Sequence, residues 1–159
     1  MLLLISQTIL LFSHIAVIWY IAVIMTFNLT LLLCDNMLVS STTLAAEIFQ
    51  FAEAMARASR GPHTKLRVRW VSIDGKPVQT SAGFQLTPTH AIDDRFTSDL
   101  IHIPALWRNP RPAVANNQAY IPWLQEQHQL NSSFTAVGTG VCFLAEAGLL
   151  DDKPATTHW

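Results

Sequence analysis

Strand and helix signals alternate along most of the chain, and this alternation constrains the fold more than any other feature. Residues 26–34 form an apolar run typical of a buried strand. Residues 44–59 repeat large apolar side chains every three or four positions, as the buried face of an amphipathic helix does. The side chains of this repeat are Leu44, Ile48, Phe51 and Met55. A strand followed by such a helix predicts an α/β domain with a mostly parallel sheet and helices on both faces.

The signals continue after this helix. Residues 65–73 alternate basic and apolar side chains, which predicts a half-exposed strand whose basic residues form a solvated edge. Asp74-Gly75 predicts a hairpin turn into a short strand at residues 78–80. The remaining predicted elements are a strand at 99–104, a helical stretch at 109–129 that restarts at Pro122, a strand at 133–137 and a helix at 141–147.

Charge and cysteine content exclude several classes of function. The formal net charge of the 159 residues is −1, so the chain lacks the basic field that nucleic-acid binding requires. The six histidines are scattered singly, and Cys34 and Cys142 form no CxxC or Cys/His spacing, so we expect no metal and no cofactor. Two isolated cysteines are typical of a reducing compartment, which favours the cytoplasm.

The first 34 residues contain no Asp, Glu, Lys or Arg. Residues 1–24 are long and apolar enough to span a bilayer, which would make the chain membrane-anchored. They lack a positive n-region and flanking basic residues, and translation starting at Met25 is the alternative interpretation. We therefore divide the chain into an apolar segment, 1–24, and a domain, 25–159.

The turn Gly138-Thr139-Gly140 joins a predicted strand to a predicted helix. Such a turn places backbone N–H groups and a helix N-terminus at the crevice of a parallel sheet, where anions or developing negative charge are stabilised. As a dinucleotide fingerprint the pattern is weak, because the third glycine is missing and the turn follows a late strand.

A longer pattern surrounds this turn. Residues 136–159, with LAEAGLLDD followed by ATTHW, closely resemble the elbow region of the PfpI-type superfamily, and in particular the sensor domains of AraC-type transcriptional regulators. Looser similarity covers residues 27–54, 99–107 and 121–128. The resemblance implies a flavodoxin-like, class I glutamine-amidotransferase-like fold. By this resemblance the fold is C-terminally incomplete, because Trp159 precedes the sensor's last strand and helix and the helix-turn-helix domain. An unpaired sheet edge, an uncovered apolar face and association should follow.

The resemblance also implies a site. Enzymes of the superfamily carry a cysteine at the elbow, where this chain has Gly138, and glycine cannot be a nucleophile. Ala105 stands where a glycine N–H usually helps to hold an oxyanion. The resemblance therefore implies a crevice that binds a small molecule without catalysis, in a domain that commonly forms homodimers. The ligand-binding residues it implies are Glu47, Ala105, Leu106, Gly138, Thr139 and His158.

A cysteine-dependent hydrolase or deglycase is the alternative. It would use Cys142 as nucleophile, with His158 and Glu47. Cys142 lies one turn into the predicted helix, so we expect it to have left the crevice and to behave as a small buried apolar residue. We expect Trp107 and Trp123 to be core or interface residues.

Overall fold

The computed structural model describes residues 25–60 and 63–157. The strands are β1 (Met25–Leu32), β2 (Thr64–Ser72), β3 (Val78–Gln79), β4 (Gln85–Leu86), β5 (His90–Ala91), β6 (Leu100–Ile103) and β7 (Ser133–Ala136). The helices are α1 (Val39–Arg60), α2 (Pro110–Asn116), α3 (Tyr120–Gln129) and α4 (Val141–Glu146), and a 3-10 turn at Gly138–Gly140 precedes α4.

Five strands form one parallel sheet in the order β5-β2-β1-β6-β7. Side chains alternate across the sheet, because successive residues of a strand point to opposite faces. Leu31 of β1 packs with Ala46 of α1 on one face, whereas Leu32 packs with Ile101 and Phe143 on the other. Helices therefore cover both faces, and the predicted mostly parallel α/β fold is confirmed.

Helix α1 is longer than the predicted 44–59 and is rotated from the expected orientation. Its buried residues are Thr42 and Ala46, whose small side chains let the helix lie close to the sheet, and Phe49 is partly buried against the same core cluster. The predicted stripe faces outward instead. Its side chains are 58–67% exposed: Leu44, Ile48, Phe51 and Met55. The expectation that this stripe is the buried face is wrong, because the chain places its larger residues on the opposite side of the helix.

Strand β2 has the predicted half-exposed pattern, and its basic residues Lys65 and Arg67 are exposed, but Arg69 is not. The strand lies between β1 and β5, although β5 pairs only with its last two residues. Arg69 is buried: its Nη1 donates to the Thr97 carbonyl (3.1 Å), and its guanidinium carbon lies 4.9 Å from the centroid of Phe96. An aromatic face and a carbonyl thus contact this charge at the wall of a surface cavity.

Two further local predictions are wrong in detail. The short strand β3 pairs with β4 in a separate hairpin and not with β2, because Asp74 closes its own turn by accepting from the Lys76 N–H. The helical stretch divides at residues 117–119 and restarts at Tyr120, two residues before Pro122. Tyr120 is fully buried and its hydroxyl donates to the Leu33 carbonyl beyond β1, which fixes α3 against the sheet.

No helix within the described ranges is long and apolar enough to cross a membrane. The predictions for residues 1–24, as an anchor or as a mis-assigned start, lie outside the described residues.

Candidate functional site

The elbow between β7 and α4 is a tight turn pressed against the end of β6. Gly138 has φ +49°, a conformation that L side chains rarely adopt, yet a Cβ there would touch only the Ala105 Cβ, at 3.9 Å. Gly140 is different, because a Cβ would lie 2.2 Å from the Pro104 carbonyl oxygen. Gly140 therefore permits the close packing, whereas Gly138 leaves open the space that a side chain at the elbow would fill.

That space opens into a crevice of about 740 Å³. Four of the six predicted ligand-binding residues line it: Ala105, Leu106, Gly138 and Thr139. The other walls come from Leu38, Trp107, Cys142 and the start of α2. Trp107 is 45% exposed, so it is a wall of the crevice and not a core residue, whereas Trp123 is buried as expected. The sheet crevice that the elbow motif predicts is thus present.

Two backbone N–H groups that face the elbow already have partners. The Ala105 N–H donates to the Ser41 Oγ (3.0 Å). The Leu106 N–H donates to the Thr139 Oγ1 (3.0 Å), and the same hydroxyl donates to the Leu106 carbonyl (2.9 Å). Stabilising an oxyanion needs donors that are free to reach the developing charge. The loop after β6 therefore holds the elbow in place and offers neither of these N–H groups to a reacting oxygen.

Glu47 does not reach the crevice. It is exposed on α1 and is not among the residues that line the cavity. The α1 residue that contacts the crevice wall is Ser41, whose hydroxyl also donates to the Leu38 carbonyl (2.6 Å). Ser41 is not among the site residues predicted from the sequence. The signal that could have indicated it is a hydroxyl in the first turn of the helix that follows β1.

His102 of β6 was also missed as a structural residue of the site. Its Nε2 lies 2.9 Å from the Ser41 carbonyl oxygen and its Nδ1 lies 2.9 Å from the Thr135 Oγ1. A carbonyl can only accept, so Nε2 carries the proton and Nδ1 accepts from the threonine hydroxyl. Burial lowers the pKa of His102, which keeps the ring neutral. His102 thus ties α1 to β7 directly beneath the elbow.

The two cysteines are free thiols in unfavourable places for a thiolate. Cys142 lines the crevice, so the expectation that it has left the crevice is wrong. Burial nevertheless raises the pKa of the Cys142 thiol. Burial and the neighbouring Asp35 raise the pKa of Cys34 to about 12. Cys142 is the second residue of α4 and lines the crevice together with Arg108 and Arg111, but desolvation is the largest influence on its thiol and opposes the thiolate.

The C-terminal residues return to the elbow. The Thr157 hydroxyl donates to the Gly138 carbonyl (2.9 Å), and Thr157 also lines the crevice. His158 lies outside the described residues, so its role stays a prediction. Across residues 25–60 and 63–157 no group of three His, Cys, Asp or Glu side chains is placed to hold a metal ion.

The comparisons with known proteins agree with this geometry. The DJ-1/PfpI family model matches residues 36–159, which is most of the chain. The chain belongs to the DJ-1/PfpI family. The solved structure of an AraC family transcriptional regulator from Pseudomonas putida has a TM-score of 0.64 to this chain at 20% identity, and the match covers 83% of this chain and 66% of the regulator.

Curated relatives of this DJ-1/PfpI chain include both regulators and enzymes. The HTH-type transcriptional regulator CdhR of Pseudomonas aeruginosa is 34% identical over 93 residues, which are 57% of this chain and 27% of the regulator. Isonitrile hydratase of Pseudomonas putida is 33% identical over 98 residues, which are 62% of this chain and 41% of the enzyme. The chain therefore matches less than half the length of either relative, and the choice between binding and catalysis depends on the site.

Proposed function

We propose that the crevice at the elbow binds a small molecule without turning it over, and that residues 25–159 are part of the sensor domain of an AraC-type transcriptional regulator. The observation that carries this proposal is Gly138. It has the positive φ of the elbow and opens into the crevice, but it brings no nucleophilic atom. Ala105, Leu106 and Thr139 complete the binding walls in this proposal, and the free cysteines favour the cytoplasm as its compartment.

The backbone N–H donors beside the elbow, which already have partners, also support a non-catalytic crevice. The Ala105 and Leu106 N–H groups are held by Ser41 and Thr139, so the crevice offers shape and apolar contact and lacks a prepared oxyanion site in this loop. The similarity to CdhR and to the AraC family regulator structure supports a regulatory role. In this proposal the DNA is bound by residues other than those of this chain.

A cysteine-dependent enzyme is the second candidate, and two observations favour it: Cys142 lines the crevice, and isonitrile hydratase is among the relatives. The candidate requires Cys142 to form a thiolate near neutral pH. The raised pKa of Cys142 opposes this requirement. Glu47 is not at the crevice and cannot assist Cys142 there.

Alkylation of the two thiols between pH 5 and pH 9 separates the two candidates. Iodoacetamide labelling would be followed for each cysteine by mass spectrometry, with buried Cys34 as the internal reference for a thiol that reacts only after unfolding. We expect Cys142 to label slowly below about pH 8.5, the ordinary thiol pKa. Rapid labelling of Cys142 near pH 6 would overturn the non-catalytic proposal and establish an activated nucleophile.

We further propose that the sensing unit is a homodimer formed through the outward stripe of α1. The stripe spacing of four, three and four residues reads the same in both directions. Two antiparallel copies therefore bring Leu44 of one against Met55 of the other, and Ile48 against Phe51. A stable dimer buries about 800 Å² per subunit, so the stripe would form its apolar centre within a polar rim.

Sedimentation velocity tests this dimer. We expect the Ile48→Glu/Phe51→Glu double variant to lose self-association, because it would place four carboxylates at the centre of the interface. The control is Phe84→Glu, which makes the same kind of change at a 48% exposed aromatic residue outside α1. Unchanged association in the double variant, or equal loss in the control, would place the contact elsewhere.

A further inference from the structure

We infer that the ligand of the elbow crevice is a small organic anion, with a carboxylate or similar group attached to an apolar body. This inference rests on the proposed binding function and adds the chemical class of the ligand. It starts from the charges on the crevice walls: Arg108 and Arg111 line the cavity, and none of its lining residues is an Asp or a Glu.

The polar side chains of the walls are already engaged, with the exception of these two arginines. The Thr139 hydroxyl is bonded to both backbone groups of Leu106, and the Asn109 Oδ1 accepts from the Arg111 N–H at the start of α2. Thr157 donates to the Gly138 carbonyl. Neither guanidinium group makes a hydrogen bond or ion pair with any residue in the described part of the chain.

Guanidinium groups are donors only, and they cannot lose their charge near neutral pH. Both guanidinium groups are exposed and solvated, so a ligand that displaces their water must bring acceptor atoms, and a carboxylate matches the planar fork of a guanidinium better than a neutral acceptor does. The remaining wall is apolar, with Leu38, Ala105 and Leu106 facing the same space. The two requirements together select an anionic head on an apolar body.

The two arginines differ in their surroundings. Arg108 has φ +59°, and its guanidinium carbon lies 5.6 Å from the Trp107 ring centroid. Each arginine also borders another cavity with one acidic residue, Asp35 beside Arg108 and Glu146 beside Arg111. Packing on the Trp107 ring restrains the Arg108 guanidinium, so Arg108 is assigned as the main anion-binding residue and Arg111 contributes less.

Pairs of isosteric fragments test the inference with the full chain. Benzoate is compared with benzamide, and cyclohexanecarboxylate with cyclohexanecarboxamide, by following the backbone amide signals of Leu106, Gly138 and Thr139 in NMR titrations. We expect each carboxylate to bind about tenfold or more tightly than its amide, which is the size of a charge-assisted hydrogen bond. Raising the salt from about 0.05 M to about 0.5 M should narrow the difference, because the arginines are exposed.

Arginine variants test whether the preference for carboxylate over amide arises at the elbow crevice. Arg108→Gln should reduce the carboxylate preference to about twofold or less, and Arg111→Gln should have a smaller effect. Arg108→Lys keeps the charge without the fork and should retain part of the preference. The control is Arg57→Gln, which removes the same charge from the exposed surface of α1 and should change nothing.

The outcomes separate the two proposals. Equal binding of carboxylate and amide at the three amides would overturn the anionic class and leave the binding crevice in place. Carboxylate binding that shifts other amides, or that survives both Arg108→Gln and Arg111→Gln, would also overturn the anionic assignment. If no fragment shifts the three amides in the folded chain, both the ligand class and the proposed binding function are wrong.

Discussion

Helix α1 and the pair α3–α4 lie on opposite faces of one sheet, yet they bury their apolar side chains differently. On the α3–α4 face the large aromatic residues point inward, and the Tyr120 ring meets that of Phe143 edge to face at 5.9 Å. On the α1 face the buried residues Ala46 and Thr42 are small or polar, Phe49 is only partly buried, and four large residues point outward. The apolar stripe predicted from the sequence therefore faces outward on α1, whereas the aromatic residues of α3 and α4 face inward.

An apolar stripe on a helix indicates a face that favours contact with another surface. It does not indicate whether that surface belongs to the same chain. The α3–α4 face is covered within the chain, because Phe143 and Leu124 are fully buried. The outer face of α1 exposes four large side chains in a row, and contiguous apolar patches of this kind mark interaction surfaces in soluble proteins. The dimer proposed through α1 would make the two faces alike in the assembled protein.

A matched pair of phenylalanine substitutions gives the largest expected effect. Phe143→Ala removes a fully buried ring and should lower the free energy of unfolding by about 3–5 kcal/mol. Phe51→Ala removes a ring that is 67% exposed and should change that free energy by about 0.5 kcal/mol or less in the monomer. Urea unfolding followed by tryptophan fluorescence measures both. The comparison between the faces breaks down if the two losses are similar, because Phe51 would then be buried by something within the chain.

The succession of strands and helices along the chain could be predicted from the sequence, because parallel strands are buried on both faces and stand out as apolar runs, as β1 and β6 do. Sequence reasoning also predicted the elbow, since Gly138 lies in a pattern that continues through Gly148, which caps α4 with φ +69°. It failed where distant contacts decide. Which side of α1 faces the sheet depends on the close packing of Ala46 against the sheet. The role of Ser41 depends on its hydrogen bond with the Ala105 N–H.

The position of Cys142 shows the same limit. One helical turn past Gly138 seemed too far from the crevice by spacing alone, but the start of α2 extends the cavity to that turn, and Cys142 lines it. Local periodicity gives the place of a residue on its own helix. The walls contributed by other parts of the chain decide whether that place belongs to the site.

His102, which links α1 to β7, should make the free energy of unfolding depend on pH, and this effect should be of intermediate size. The pKa of His102 is lowered in the folded protein, so the unfolded chain binds the proton more tightly. The contribution of the neutral ring is therefore fully present above the unfolded pKa of about 6.5, and it is lost as the pH falls towards the lower folded pKa. One proton limits the slope to about 1.4 kcal/mol per pH unit.

Urea unfolding between about pH 5 and pH 8 measures this slope. We expect His102→Asn to remove its contribution below about pH 6.5, and we expect the control His128→Gln, at an exposed position on α3, to retain it. An unchanged slope in His102→Asn would mean that the bonds to Ser41 and Thr135 do not hold the ring neutral.

The smallest expected effect comes from Thr42, a buried polar residue on the inner face of α1. The Thr42 hydroxyl is buried and has no hydrogen-bond partner among the residues that the structure describes. Thr42→Val keeps the shape and the branching at Cβ, so it should raise the free energy of unfolding by about 1 kcal/mol. Thr43→Val is the matched control, because the Thr43 hydroxyl donates to the Val39 carbonyl (3.1 Å) and its removal should bring no such gain. A loss of stability in Thr42→Val would show that this hydroxyl has a partner and that a polar contact stabilises the inner face of α1 at Thr42.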